Sequence, residues 1–349
     1  MTYCAGWKHS NSVYLLADSA VTKPDAPSTP TSSFGESHRQ VRNEHVEEAL
    51  LKLVPIGTGS AVAYAGDVQL AAHMIEFLRE NIHLAESGSA LLGTLTASLG
   101  PFDTARPVEL LLAITEQDKP IELIHWDSIS TIVSVGANYY QIGSLTSYHA
   151  SLTPEFLASL INGSVPGERA LAVIIALVQS YGIHDNLLDQ NIGGLIFGLR
   201  CTDGAIHWQE DTNFVIHNLD LSTITFASAF ARDDAVVVNS SATNETRIFM
   251  HSANSLSPNE WIEKWRDFIR EKLKSDHYRY WVFIRSPDKC ITVVRREDPE
   301  RAGELVRTTF LGDGKFDLAI HEELMSLLRQ PLIDLGDGSI PICLNFRND

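Results

Sequence analysis

Apolar residues fall into short unbroken runs over the first half of the chain and then give way to stretches of helical period. Val13-Tyr14-Leu15-Leu16-Ala17, closed by Asp18, is the pattern of a buried strand that delivers one carboxylate at its end. A second apolar run over 50–56 carries a single charge, Lys52, and a third, Ala61-Val62-Ala63-Tyr64-Ala65, ends in Gly66-Asp67. Beyond it Val68, Ala71, Ala72, Ile75 and Leu78 recur at helical spacing, and a second helical stretch surrounds 90–99. Strands are predicted over 108–115 and 121–126, helices over 154–160 and 168–181, and strands over 195–199 and 205–210. From about residue 216 the pattern predicts strands at 235–239, 247–251, 280–285 and 290–295, with helices at 259–274 and 315–328. Trp261, Ile262, Trp265, Phe268, Ile269 and Leu273 give the helix at 259–274 an aromatic face, which reads as core or as a surface docking on a neighbouring subunit.

Between the first and second apolar runs, residues 23–46 break the strand pattern with Pro, Ser, Thr and Gly, and predict a long surface loop. It reads as an insertion at the rim of a cleft, either capping it or inert.

Two features carry candidate chemistry. A lysine inside an apolar strand needs a counter-charge, because burying it unpaired is costly, and Asp18 is the candidate partner of Lys52. The chain opens Met1-Thr2-Tyr3-Cys4. A Met followed by a residue as small as Thr is normally trimmed, so Thr2 is expected to begin the mature protein with a hydroxyl and a free α-amine on one residue. An α-amine titrates at about 7.7, close enough to neutrality to take the hydroxyl proton without a histidine.

Thr2, Asp18 in an Ala-Asp-Ser segment with Thr22 just beyond, and Lys52 followed by Ala65-Gly66-Asp67 resemble the proteasome β-subunit family of N-terminal-nucleophile hydrolases. Within that family the opening Met-Thr-Tyr-Cys is more similar to the bacterial Anbu branch and, more loosely, to HslV. The resemblance implies an α+β fold, a four-layer αββα sandwich over 1–215, followed by a C-terminal α/β extension over 216–349. By the same resemblance Thr2 is the nucleophile, Asp18 and Lys52 tune it, and the backbone N–H of Gly66 faces the oxyanion.

Gln141-Ile142-Gly143-Ser144 resembles the family's Gly-Ser-Gly, with Leu145 in place of the last glycine, which makes Ser144 a proton relay or only a turn residue. Asp189 fits the carboxylate that orients the amine, with Asp185 as the rival, and Ile192 stands where the family has serine. Val21, Leu50, Val54, Tyr64, Val68 and Ala72 are implied as the specificity pocket, favouring a small or medium apolar residue before the cut. An extended substrate would pair as an added strand near Thr22 and Gly66. The activity implied is that of a threonine peptidase on polypeptide substrate, self-associated into a ring or spiral and fed by a separate ATP-dependent unfoldase. The competing classes are a silent ring or scaffold subunit and an amidase for a small molecule.

Composition narrows this further. Of 349 residues 44% are hydrophobic, ample for packed cores, and a net charge of -17 argues against nucleic acid or an anionic membrane as partner. Cys4, Cys201, Cys290 and Cys343 are far apart with no CxxC pair, so neither a zinc site nor a disulfide framework is suggested. The sequence holds no GxxxxGK[ST], no HExxH and no GxSxG, and no cofactor or metal is expected. No apolar stretch approaches about twenty residues, and a cytoplasmic location is expected.

Overall fold

A computed structural model describes residues 2–24, 31–36, 44–116, 119–144, 146–185, 187–232, 235–250, 278–286, 288–298, 304–312, 315–330 and 344–348. The chain divides into two compact units. The first comprises Met1–Pro30, His38–Ile175 and Leu187–Gln209, the second Thr31–Ser37, Ala176–Asn186 and Glu210–Asp349.

The strands and helices run β1 (Tyr3–His9), β2 (Ser12–Ala17), β3 (Ala20–Pro24), β4 (Glu44–Glu48), β5 (Leu53–Pro55), β6 (Ser60–Gly66), α1 (Val68–Asn81), α2 (Gly88–Leu99), β7 (Val108–Ile114), β8 (Glu122–Asp127), β9 (Val133–Ser134), β10 (Tyr139–Gly143), α3 (Ser147–Asn162), α4 (Gly167–His184), β11 (Phe197–Thr202) and β12 (Ala205–Trp208). Two antiparallel sheets form, in the orders β10-β1-β2-β11-β12 and β5-β6-β7-β8-β9. Every residue of β2 is buried, as its unbroken apolar run requires.

The sheets meet face to face. Cys4 Sγ on β1 donates to the Tyr64 carbonyl on β6, and Gly6 lies so close to Leu123 of β8 that a Cβ there would stand 3.0 Å from its methyl. Helices α1 and α2 cover the outer face of the second sheet, where Met74, Ile75, Leu78, Leu91, Leu92 and Leu95 join Val62, Tyr64, Leu110, Leu112 and Trp126 in one core. On the first sheet, Leu171 of α4 packs against Gly198 of β11, where a Cβ would come within 2.8 Å of it. Asp67 and Ser87 cap α1 and α2, their side chains accepting from the N–H groups of Leu70 and Ala90.

The second unit continues with β13 (Thr212–His217), β14 (Ile224–Arg232), β15 (Ala235–Ser240), β16 (Glu245–Met250), β17 (Tyr280–Arg285), β18 (Cys290–Arg295), β19 (Val306–Gly312), β20 (Lys315–Ile320), α5 (Glu322–Leu328) and β21 (Leu344–Asn348). Seven of these strands form one sheet in the order β16-β15-β14-β13-β17-β18-β21, parallel at β13·β17 and β18·β21 and antiparallel elsewhere. One face carries Val215, Trp281, Phe283 and Val294 against Leu324 and Leu328 of α5.

Several expectations need correction. Lys52 does not lie inside a strand; it immediately precedes β5. Helix α3 starts at Ser147, capped by Thr146, and accommodates Pro154 in its interior, although proline marks a first turn more often. The helix expected at 315–328 is a strand followed by a short helix, because Phe316, Leu318 and Ile320 alternate and pair with β19. The strand expected at 195–199 begins at Phe197, and no expectation covers β13, β14, β19 or β21. The helix expected at 259–274 lies outside the described residues.

The insertion is not simply a surface loop. Its two ends pair as β3 and β4, with Val21 opposite Glu47 and Thr22 opposite Val46. Residues 31–36 pack within the second unit, where Phe34 meets Phe214 edge to face at 5.5 Å, Ser240 donates to the Ser33 carbonyl and Arg247 to the Thr31 carbonyl. Among the described residues no helix is long and apolar enough to cross a membrane, which says nothing of a β-barrel.

Removing the Phe34 ring leaves a cavity beside Phe214. Phe34→Ala is expected to destabilise the protein by about 3 kcal/mol in urea unfolding. A loss below about 1 kcal/mol would show that 31–36 is not part of that core.

Candidate active site

Beyond β2 the chain turns at Asp18, whose N–H still donates to the Tyr3 carbonyl at 3.1 Å and so extends the β1–β2 ladder by one bond. The Asp18 carboxylate is fully buried and accepts three hydrogen bonds. They come from Lys52 Nζ at 2.7 Å, the Gly193 N–H at 3.1 Å and the Tyr3 N–H at 3.4 Å. Lys52 Nζ, equally buried, also donates to the Ala20 carbonyl. Burial pushes the Asp18 carboxyl above its usual range, while the Lys52 ammonium and the Gly193 and Tyr3 N–H groups pull it back down. Burying two charges costs several kcal/mol per ion unless geometry and further hydrogen bonds compensate, and this pair has both.

Thr2, only 2% exposed, is fixed through its own peptide, since its carbonyl accepts from the Ser144 N–H at 2.8 Å. Gly143 lies so close that a Cβ would stand 1.8 Å from the Thr2 oxygen, and its φ is 92°. Gly66, the last residue of β6, has a φ of 103° and would drive a Cβ to 2.0 Å from the Pro107 carbonyl. Both positions therefore require glycine. Thr2, Thr22, Gly66 and Ser144 border one cleft of about 760 Å³. Asp18 and Lys52 do not border it; they connect to it through the amide of Tyr3.

The other sequence-derived positions fall elsewhere. Asp189 belongs to a 3₁₀ turn at Leu187–Gln190, and its side chain lies outside the described residues. Its rival Asp185 pairs with Lys289 at 2.6 Å in the second unit. Ile192 is buried, while its neighbour Asn191, in a left-handed conformation with φ 59°, borders the cleft. Of the positions expected to contact substrate, Thr22 borders the cleft, whereas Val21, Leu50, Val54, Tyr64, Val68 and Ala72 do not. Strand alternation turns Tyr64 toward the helices, into the core on which Leu50 and Val54 also pack. Val68 and Ala72 lie in the first two turns of α1.

Polar residues unforeseen in the sequence stand at the cleft instead: Asn191, Asp67, Arg106 and Glu109. Arg106 grips Asp67 with two parallel bonds, Nε to Oδ2 and Nη2 to Oδ1, both 2.8 Å. The Arg106 guanidinium holds the Asp67 carboxyl below the usual carboxylate range, helped by the Leu70 N–H. Only Asn191 had a legible signal, since asparagine is the residue that most readily replaces glycine at positive φ ahead of Gly193-Gly194. Among the described residues no group of His, Cys, Asp and Glu could hold a metal ion.

No protein-family model matches this chain, and no curated protein matches it either. Among solved structures, the crystal structure of eukaryotic HslV from Trypanosoma brucei is similar over 58% of this chain and 99% of that one, at 17% identity and a TM-score of 0.38.

Lys52→Met strips the counter-charge from a buried carboxylate and is expected to cost about 3 to 5 kcal/mol in urea unfolding. The double variant Lys52→Met/Asp18→Leu should recover most of that loss. Additive losses would mean that the two groups do not interact.

Proposed function

We propose that this protein is a threonine-dependent amide hydrolase of the proteasome type, a peptidase, built on the four-layer αββα arrangement of N-terminal-nucleophile hydrolases. The observation that carries the reading is the double engagement of Asp18. One carboxylate binds the Lys52 ammonium and the Tyr3 amide, which links a buried positive charge, through that carboxylate, to the peptide that follows Thr2 at the edge of a cleft. The spacing of Thr2, Asp18, Lys52 and Gly66 in the sequence supports the same assignment.

The reading requires Thr2 to be N-terminal, hence removal of Met1. The Thr2 hydroxyl oxygen attacks the substrate carbonyl carbon while its proton passes to the Thr2 α-amine. The Lys52 ammonium, paired with Asp18, lowers the cost of ionising the hydroxyl. The tetrahedral oxyanion accepts from the Gly66 N–H, a kind of donor worth about 2.7 to 4 kcal/mol. The α-ammonium then returns the proton to the leaving nitrogen as the C–N bond breaks, leaving an ester on Thr2. Water adds to that ester with the amine again as base, releasing the acid and regenerating the hydroxyl. Ser144 and Asn191 border the cleft beside Thr2 and hold the amine and the water in line. The resemblance assigns the orientation of the same amine to Asp189. Self-association, and delivery of polypeptide by a separate ATP-dependent unfoldase, belong to this reading through the same resemblance.

A second reading, a catalytically silent scaffold subunit, is favoured by Ile192, whose buried side chain offers no hydroxyl. The two differ in what residue 2 does. Thr2→Ala should lower peptide turnover by about 10³-fold or more with an unchanged unfolding midpoint, while Thr2→Ser retains measurable turnover. Turnover surviving in Thr2→Ala, or a purified protein whose intact mass still includes Met1, would exclude the nucleophile assignment.

A further inference from the structure

Among the described residues three charged side chains border the cleft, and two of them cancel. Arg106 is committed to both oxygens of Asp67 and reaches Gln69 Oε1 at 3.4 Å with the same nitrogen that binds Oδ1. The third, Glu109, is the second residue of β7 and pairs in register with Ala65, next to the strand end at Gly66. Its side chain is 40% exposed. Among the described residues its one ion-pair partner is His125, whose Nε2 stands 3.8 Å away and is charged only when protonated.

A cleft with this wall does not suit an apolar side chain. Leu50, Val54 and Tyr64, expected in an apolar pocket, pack into the helix-covered core and do not border the cleft, and bringing an apolar group against Glu109 would strip water from the carboxylate without replacing its hydrogen bonds. A guanidinium replaces them with two parallel N–H donors, and an ammonium with one. The net charge of -17 favours approach of cationic substrates over anionic ones in the same sense.

We infer that Glu109 is a specificity-determining residue of this site and that the substrates are peptides with a basic side chain, arginine above lysine, immediately before the cut. The inference rests on the hydrolase reading above and names the substrate class of that site. Glu109 takes no part in bond making; it binds the side chain that holds the scissile carbonyl over Thr2.

The test pairs turnover with binding. On matched peptides differing only in Arg or Leu before the cut, the full-length protein should favour Arg by about tenfold in kcat/KM. That ratio should fall toward one in Glu109→Gln and below one in Glu109→Lys. In Thr2→Ala, fluorescence polarisation should show the Arg peptide binding about tenfold more tightly than the Leu peptide at low salt, with the difference shrinking as salt rises. Preference for Leu in either assay would overturn the inference. So would an equal loss on both peptides in Glu109→Gln, which would assign Glu109 to the nucleophile rather than to the substrate. If no peptide is turned over, the hydrolase reading fails, and the binding ratio in Thr2→Ala still decides the role of Glu109.

Discussion

A lysine ammonium and an aspartate carboxylate 2.7 Å apart, both fully enclosed by the fold, set the constraint on which the first unit depends. Neither charge is tolerable there alone, so every group around them must be in place at once. The Gly193 N–H, the Tyr3 N–H and the Ala20 carbonyl complete the arrangement, and each comes from a different part of the chain. The pair therefore ties the segment after β2, the segment before β5, the turn before β11 and the first strand to one point. Thr2 borders the cleft because the peptide that follows it is part of that knot.

Close backbone approach does the rest. Gly143 and Gly66 sit at strand ends against the carbonyls of Thr2 and Pro107, in conformations that a side chain would not permit. The first contact holds the end of β10 against residue 2, and the second holds the end of β6 at the border of the same cleft. A catalytic arrangement needs this kind of fixed geometry more than it needs mobility, since misplacement of reacting groups by about 1 Å can cost about a hundredfold in rate. The polar wall made by Asp67, Arg106 and Glu109 is an independent layer. It borders the cleft, which the buried pair does not.

Much of the first unit was legible because its elements are strongly periodic or fully apolar. The run closed by Asp18 could only be a buried strand, and the helical spacing after Asp67 is reinforced by that residue's capping bond. What the sequence concealed was three-dimensional. Leu50, Val54 and Tyr64, implied as pocket by the resemblance, pack in the core that α1 and α2 cover. Arg106 lies far from Asp67 along the chain, and no local pattern announces their pairing. The insertion looked like a loop because its prolines and serines suppress any strand signal, although its ends pair and Phe34 finds an aromatic partner 180 residues further on. In the second unit, short strands such as β19 and β20 carry alternation too brief to distinguish from a helical face.

The central claim is that residue 2 supplies both the attacking oxygen and the proton-accepting amine. A peptide epoxyketone reads both functions together, because its morpholine-type adduct needs a hydroxyl and a free amine on the same residue. Treatment of the full-length protein followed by peptide mapping should give one stoichiometric adduct on Thr2, abolished by Thr2→Ala and slowed by Lys52→Arg. An unmodified residue 2 in folded protein that has lost Met1, or a label on any other residue, would contradict the account.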